Sequence, residues 1–388
     1  MSDERPADEG DGDDGFEALD TTDAPLAVVV AKGRTETVID ELRAEGVYDD
    51  SRRVRPFGED ATAIPVTVPP ERTRVREVVR QEPTPRLRGL EDHLRERGWT
   101  EEELAQAPGS WAVIGSVVLV EVGGAPRPEE VGEALLELHA NADTVLARGG
   151  IDGATREPDV TVLAGAGDTE TVHTEHGTKY ALDLAEVMFS PGNKAERARM
   201  GEVVRGDERS ESTDWASGGT ASLTGERVFD MFAGIGYFTL PMARAGARVT
   251  ATEINPDSFR YLLENARLNG VDDRVDLYRA DCRDVADTVA ADRVVMGYFD
   301  ASEPRSEDSQ TESGQSWEYL GAALDALEPG GVLHMHEATP EDLVPDRPID
   351  RLETAAAEAG RPVEVLETRR VKGYSEGVAH VVGDARVD

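Results

Sequence analysis

From Arg227 to the C-terminus the chain alternates between two hydrophobic periods, and few architectures accept that pattern. Short apolar runs read as strands at Arg227–Met231, Arg248–Thr252, Val275–Tyr278, Arg293–Tyr298, Gly331–His336, Val363–Val371 and Val378–Val387. Between the first six, helical spacing fits Phe238–Ala245, Pro256–Asn269, Val285–Ala290, Trp317–Leu327 and Ile349–Ala359. Strands joined through helices run parallel, because each crossover returns the chain to the same end of the sheet. Only Lys372-Gly-Tyr-Ser-Glu-Gly377 separates the last two strands, too little for a crossover, so they pair antiparallel. The expected fold is a doubly wound α/β sheet with an antiparallel final strand. Two polar stretches, Gly206–Glu226 and Glu303–Ser316, interrupt it and read as surface loops.

The segment Val228-Phe-Asp-Met-Phe-Ala-Gly-Ile-Gly-Tyr-Phe-Thr239 says what such a sheet would bind. Its strand ends at Asp230, turns through Gly234 and Gly236, and gives way to a helix. Glycines there let the backbone turn tightly and approach a ligand. Nineteen residues after Gly234 the second strand ends at Glu253, where a carboxylate accepts hydrogen bonds from ribose hydroxyls. Asn255 is placed to cap the next helix, with Pro256 at its first position. NAD and S-adenosylmethionine both fit this geometry. The dinucleotide pattern asks for a third glycine, however, and Thr239 stands there. Asp230 suits a ligand that carries an amino group and no pyrophosphate. Asp281, in Ala280-Asp-Cys-Arg283 after the third strand, can accept from an adenine amino group. S-adenosylmethionine is therefore the expected cofactor, on a class I (Rossmann-like) sheet.

Upstream, the chain divides into smaller pieces. Residues 1–24 form an acidic tail expected to be disordered, with nine acids and one arginine in the first twenty positions. Residues 25–70 read as a small α/β domain: a strand at Leu26–Val30, a helix at Thr35–Glu45 and a strand at Ala63–Val68. Residues 71–110 read as an Arg-rich linker. Residues 51–97 hold eleven arginines against eight acids, either a solvated helical stretch with salt-bridge pairs or a phosphate-contacting surface. Residues 111–187 read as an α+β domain with one long strand at Val113–Val122, a helix bearing Val131, Ala134, Leu135 and Leu138, and further strands to Leu184. Residues 188–388 form the cofactor-binding domain.

The chain has 79 Asp and Glu against 41 Lys and Arg, a net charge of −38, which ordinarily argues against an anionic partner. Only four of the basic residues are lysine (Lys32, Lys179, Lys194, Lys372). Acid excess, scarce lysine and abundant small residues predict a halophilic protein adapted to molar salt. The screening length there falls to roughly 3 Å, so global repulsion from a polyanion vanishes. With one cysteine, Cys282, an internal disulfide and a Cys-rich zinc module are excluded. His334-x-His336-Glu337 places two histidines on one strand face, but no third ligand run accompanies them, and no metal site is expected. No apolar run reaches the roughly 18 residues of a membrane span. Together with the acidic N-terminus, this predicts no membrane association and a cytoplasmic location.

The Gly turn, with Met188-Phe-Ser-Pro-Gly-Asn-Lys-Ala-Glu-Arg-Ala-Arg-Met200 before it, resembles a family of two tRNA position-37 enzymes. One is the guanine-37 N1-methyltransferase; the other is the wybutosine-pathway aminocarboxypropyltransferase. The resemblance runs from about Pro25 to the C-terminus and is strongest over Val187–Glu337. Gly192-Asn193 stands where the methyltransferase has Arg-Leu. Met296-Gly-Tyr-Phe-Asp-Ala-Ser302 is similar to the transferase's Gly-Leu-x-x-Ser-Ser and unlike the methyltransferase's Asn-Leu-Pro. Gly330-Gly-Val-Leu-His-Met-His-Glu337 matches the transferase. Asp300, where proline is usual, and Cys282, where asparagine is usual, depart from the pattern.

The resemblance implies transfer of the 3-amino-3-carboxypropyl group of S-adenosylmethionine to carbon 7 of 4-demethylwyosine, in the anticodon loop of tRNA(Phe). It implies tRNA, not DNA, as partner. It also implies that Ser190 and Arg197 hold the amino acid end of the cofactor, Glu253 the ribose, and Asp281 with Cys282 the adenine. No general base is identified; Tyr298 and Asp300 are the nearest candidates by position. Arg369-Arg-Val-Lys372 reads either as a tRNA phosphate contact or as a solvated strand end. The alternatives are guanine-37 methylation and a tRNA-binding protein without catalysis.

Overall fold

The computed structural model describes residues 24–82, 84–152, 156–206, 225–298, 316–375 and 377–388. The acidic N-terminal segment, most of the two polar stretches (Gly206–Glu226 and Glu303–Ser316) and Asp300 lie outside the described residues. Two compact units result, one ending at Glu96 and the other running from Arg97 to Asp388.

The first unit is a four-stranded antiparallel sheet. Its strands β1 (Leu26–Ala31), β2 (Arg55–Phe57), β3 (Ala61–Val66) and β4 (Glu77–Arg80) lie in the order β2-β3-β1-β4. Val28, Val30, Ile64 and Val66 make one face, and α1 (Thr35–Glu45) lays Val38 and Leu42 on it. Several arginines of the basic stretch are tied into this unit. Arg52 is buried on Asp49 at 2.7 Å and donates to the carbonyls of Leu26 and Val66, and Arg86 reaches Asp50 at 2.5 Å. Helix α2 (Leu90–Glu96) ends the unit.

The second unit opens with α3 (Glu101–Leu104), held by a capping box between Thr100 and Glu103. The long strand expected at Val113–Val122 is instead a hairpin of β5 (Trp111–Ile114) and β6 (Val117–Val120). Gly115, at φ +57°, turns the chain back there. Helix α4 (Pro128–Leu138) then crosses to β7 (Thr144–Asp152), which lies parallel to β6 and antiparallel to β8 (Glu157–Gly165). A second hairpin joins β9 (Glu170–Glu175) to β10 (Thr178–Asp183), and α5 (Lys194–Arg205) follows.

The remaining elements build the seven-stranded sheet the sequence calls for. They are β11 (Arg227–Asp230), α6 (Thr239–Ala245), β12 (Arg248–Thr252), α7 (Pro256–Leu268), β13 (Val275–Tyr278), α8 (Arg283–Ala286), β14 (Ala291–Met296), α9 (Leu320–Ala326), β15 (Leu327–Pro340), α10 (Asp346–Glu358), β16 (Val363–Ser375) and β17 (Val378–Val387). The order is β13-β12-β11-β14-β15-β17-β16, with β17 antiparallel to both its neighbours. Apolar residues cover both faces: Leu240, Met242, Leu262 and Val249 on one, and Leu320, Leu324, Leu333 and Leu352 on the other. Asn255 caps α7 through the amides of Asp257 and Ser258. Asn265 on that helix bonds the N–H and C=O of Ala181, and Asn269 those of Lys179, so α7 supplies the partners that β10 lacks. No helix among the described residues is long and apolar enough to cross a bilayer.

Candidate active site

The strand order reverses between β11 and β14, and ligands of open α/β sheets bind beyond the carboxyl ends of strands at such a reversal. A cavity of about 1120 Å³ lies there, wholly within the second unit. It is lined by Gly234, Glu253, Asp281 and Cys282 from the sheet, by Ser190 and Arg197, and on another side by Arg148 and Pro158 of β7 and β8. Six of the eight positions predicted to bind cofactor therefore share one cavity. The other two, Asp230 and Gly236, stand behind it.

Gly234 (φ +57°) and Gly236 (φ +103°) both need a left-handed backbone, and a Cβ at Gly234 would fall 2.5 Å from the Tyr237 ring. Glu253 braces this turn. Its carboxylate accepts from the Gly234 amide at 2.8 Å and from the Asn255 amide at 2.7 Å, and burial raises its pKa. Asp230 is fully buried and accepts from the Thr239 hydroxyl at 2.7 Å. Burial pushes its pKa up to about 6, against the pull of that bond and of the Phe232 and Thr239 amides.

Asp281 is already engaged. Arg283 grips it through Nε at 2.9 Å and Nη2 at 2.6 Å, and this holds its pKa below the usual carboxylate range. Cys282 is buried, and desolvation pushes its thiol up to about 12, so the sulfur stays protonated. Phe232 stacks on Tyr298 at 5.2 Å and meets Tyr319 edge-on at 5.0 Å, forming an aromatic wall. The Arg156 guanidinium sits 5.3 Å from the centre of the Tyr298 ring.

Arg197 is 2% exposed and clasps Glu175 with Nε at 2.8 Å and Nη2 at 2.9 Å, while Nη1 donates to the Ser190 carbonyl at 2.9 Å. Burial would raise the Glu175 pKa, but His173 and Arg197 outweigh it and lower it to about 2. Arg197 thus fixes the Ser190 loop from behind, with three of its five N–H groups spent. Ser190 faces a residue that the sequence expectation left outside the cofactor set: Lys372 of β16 donates to its Oγ at 2.8 Å.

Arg369 is no surface cation. It joins Glu196 of α5 and Asp384 of β17, and Asp384 also accepts from Arg199 at 2.9 Å and His334 at 2.6 Å. Arg370 pairs with Glu341. His334 takes a bond from Arg293 on its other nitrogen, His336 is bonded to His380 at 3.0 Å, and Glu337 accepts from Arg347, Arg351 and Thr339. This His-rich strand is a polar core network that ties α5 to the C-terminal hairpin.

The sheet order, the Gly turn and the acidic strand ends together define the class I fold of S-adenosylmethionine-dependent transferases. Residues 171–212 and 219–366 match the TRM5/TYW2 methyltransferase domain, and residues 90–169 match the TYW2 N-terminal domain. The tRNA(Phe) (4-demethylwyosine(37)-C(7)) aminocarboxypropyltransferase of Pyrococcus horikoshii is 37% identical over 78% of this chain and 99% of its own length. The tRNA (guanine(37)-N(1))-methyltransferase Trm5b of Pyrococcus abyssi is 30% identical over 93% of this chain and 99% of its own. Among solved structures, P. horikoshii TYW2 in complex with MeSAdo superposes with a TM-score of 0.59 at 34% identity, covering 76% of this chain and 96% of that one. The chain belongs to the TRM5/TYW2 family.

Proposed function

We propose that this protein transfers the 3-amino-3-carboxypropyl group of S-adenosylmethionine to carbon 7 of 4-demethylwyosine at position 37 of tRNA(Phe). One observation carries the choice between the two family activities. The stretches that depart from the methyltransferase pattern, around Gly192-Asn193 and Gly297-Tyr298, are over a hundred residues apart, yet Ser190, Asn193, Gly297 and Tyr298 line the same cavity. Both member enzymes use the same donor, and chemistry is chosen by which carbon of the sulfonium faces the nucleophile. Residues that differ between them belong where the methionine arm lies. The degree of identity to the P. horikoshii transferase supports the same reading.

The residues present fit the donor. Glu253 offers its outward carboxylate edge to the ribose hydroxyls, its bonds to Gly234 and Asn255 holding it in place. Asp281 and the Cys282 backbone take the adenine, and Ser190, steadied by Arg197, takes the amino acid end. Asp230 lies under the turn as a compensating negative charge for the donor's cationic centre. The aromatic wall of Phe232, Tyr298 and Tyr319 offers a stacking surface for the acceptor base, and Arg148 and Arg156 face it with positive charge. The anticodon loop of tRNA(Phe) is the expected docking segment, in a cytoplasm of molar salt where the net charge of −38 is screened.

The test uses tRNA bearing 4-demethylwyosine and two labelled donors. Carboxyl-labelled S-adenosylmethionine should label the tRNA and release methylthioadenosine; methyl-labelled donor should not label it. Methyl label in the tRNA, with S-adenosylhomocysteine as co-product, would make the protein a methyltransferase. Donor bound without label from either would leave a binding protein.

A further inference from the structure

Lys372 is one of four lysines in a chain with 79 acidic residues, yet it has no carboxylate within ion-pair distance among the described residues. Its ammonium is partly buried in the donor cavity, on the Ser190 hydroxyl. Burial lowers its pKa, and Arg148 and Arg197 lower it further. Arg148 pairs with Glu121 and Arg197 with Glu175, but no carboxylate among the described residues neutralises the lysine. A desolvated cation beside two others needs an anion there.

Position 192 makes room for it. A Cβ built on Gly192 would lie 3.1 Å from Lys372 Cδ and 3.3 Å from Nζ. A side chain at 192 would press on the flexible end of the lysine, which would have to give way. The backbone at 192 is not in the left-handed region, so a substitution there acts through this contact rather than through backbone strain.

The charged groups of the cavity come from different elements. Glu253 and Asp281 follow the second and third strands of the sheet, while Lys372 sits on Ser190 with Arg148 and Arg197 as its charged neighbours. S-adenosylmethionine carries one anionic group, the α-carboxylate of its methionine arm. We propose that Lys372, admitted by Gly192, binds that carboxylate together with the Ser190 hydroxyl and so positions the aminocarboxypropyl arm for transfer. The proposal rests on the donor reading above, and it assigns Lys372 a role separate from any contact with tRNA phosphate.

The experiment compares two ligands on the full chain without tRNA: S-adenosylmethionine and its decarboxylated form, which keeps the sulfonium and the amine. Lys372→Met should weaken the first by about 10- to 150-fold, the range of a charged hydrogen bond, and leave the second unchanged. Lys372→Arg should recover part of the loss, and Gly192→Val should reproduce it by displacing the lysine. Equal loss for both ligands would overturn the proposal, and so would no loss for either; a raised KM for tRNA in a separate assay would then make Lys372 a phosphate contact. If Lys372→Met does not fold, Lys372→Gln against the same two ligands decides the matter. These affinities do not depend on which group is transferred. A wild type that binds the donor but transfers methyl refutes the proposed function alone, and a carboxylate-blind Lys372→Met refutes this inference alone.

Discussion

Asp230 stores a penalty that can be measured. Its carboxyl is fully buried, and its pKa stands at about 6 against an ordinary 3.8. A raised folded-state pKa means that between those values the native state holds a proton that the unfolded chain has lost. The contribution of Asp230 to stability is therefore fully present below about pH 4 and is lost as pH rises through about 6. Two pK units correspond to about 3 kcal/mol. Asp230→Asn keeps an acceptor for the Thr239 hydroxyl but removes the titration. The asparagine NH2 replaces one of the oxygens that face the Phe232 and Thr239 amides, and this takes back roughly 1 kcal/mol of that gain. The variant should then be more stable than wild type by about 1–2 kcal/mol at pH 7, with the advantage gone by pH 4.

Urea unfolding at constant KCl, followed by tryptophan emission, is the assay. All four tryptophans (Trp99, Trp111, Trp215, Trp317) lie beyond Glu96, so the signal reports the second unit alone. Glu253 also has a raised pKa, but it titrates in both proteins and largely cancels in the difference. The stabilised variant should bind S-adenosylmethionine less tightly, because the buried charge that destabilises the empty protein offsets the donor's cation. Parallel stability curves from pH 4 to 7, or a variant less stable at pH 7, would refute the argument.

Glu253→Ala should weaken donor binding about 10- to 150-fold in calorimetry through lost ribose bonds. It should also loosen the turn, since the Gly234 and Asn255 amides lose their acceptor; unchanged affinity would remove Glu253 from the site. Asp384→Asn should destabilise the second unit by about 3–5 kcal/mol, because Arg199 and Arg369 lose a common buried counter-ion. Burial pushes the Asp384 carboxyl up, yet His334, Arg369 and Arg199 hold it far below the usual range. Its contribution is therefore present above about pH 4 and lost in acid; a wild type and variant of equal urea midpoint at pH 7 would contradict this. Dilution from molar KCl should unfold the protein as surface acids lose screening, read by circular dichroism, and a chain still folded at 0.1 M salt would end the halophile reading.

What could be read from the sequence, and what could not, follows from the range of the interactions. The seven-stranded sheet was legible because each strand and helix announces its period locally, and the short Lys372–Gly377 turn fixes the antiparallel end. Glu253 and Gly234 were legible because the turn and the strand end sit in one βαβ unit. Val113–Val122 misleads because apolar residues fill both arms of the hairpin, although only the second arm is fully buried. Gly115-Ser116, a two-residue turn, is the signal that breaks the run. Strand β7 was missed because Arg148-Gly-Gly150 interrupts its pattern; its place is set by pairing with β6 and β8, not by propensity. Long-range pairing also defeats motif reading at the site. Arg197 lines the cavity as its position in the run suggests, but its clasp on Glu175, from another hairpin, cannot be read from the run itself. Arg369-Arg-Val-Lys372 reads as one basic run, but adjacent strand residues face opposite ways and a bulge between Arg370 and Lys372 shifts the alternation. Arg369 enters a buried network, Arg370 meets Glu341, and Lys372 enters the cavity. Gly192 can be identified as unusual from sequence, but what fills its missing side chain's place lies 180 residues away. The chemistry that separates two enzymes of one fold depends on that kind of contact, and it becomes visible only once the chain has folded.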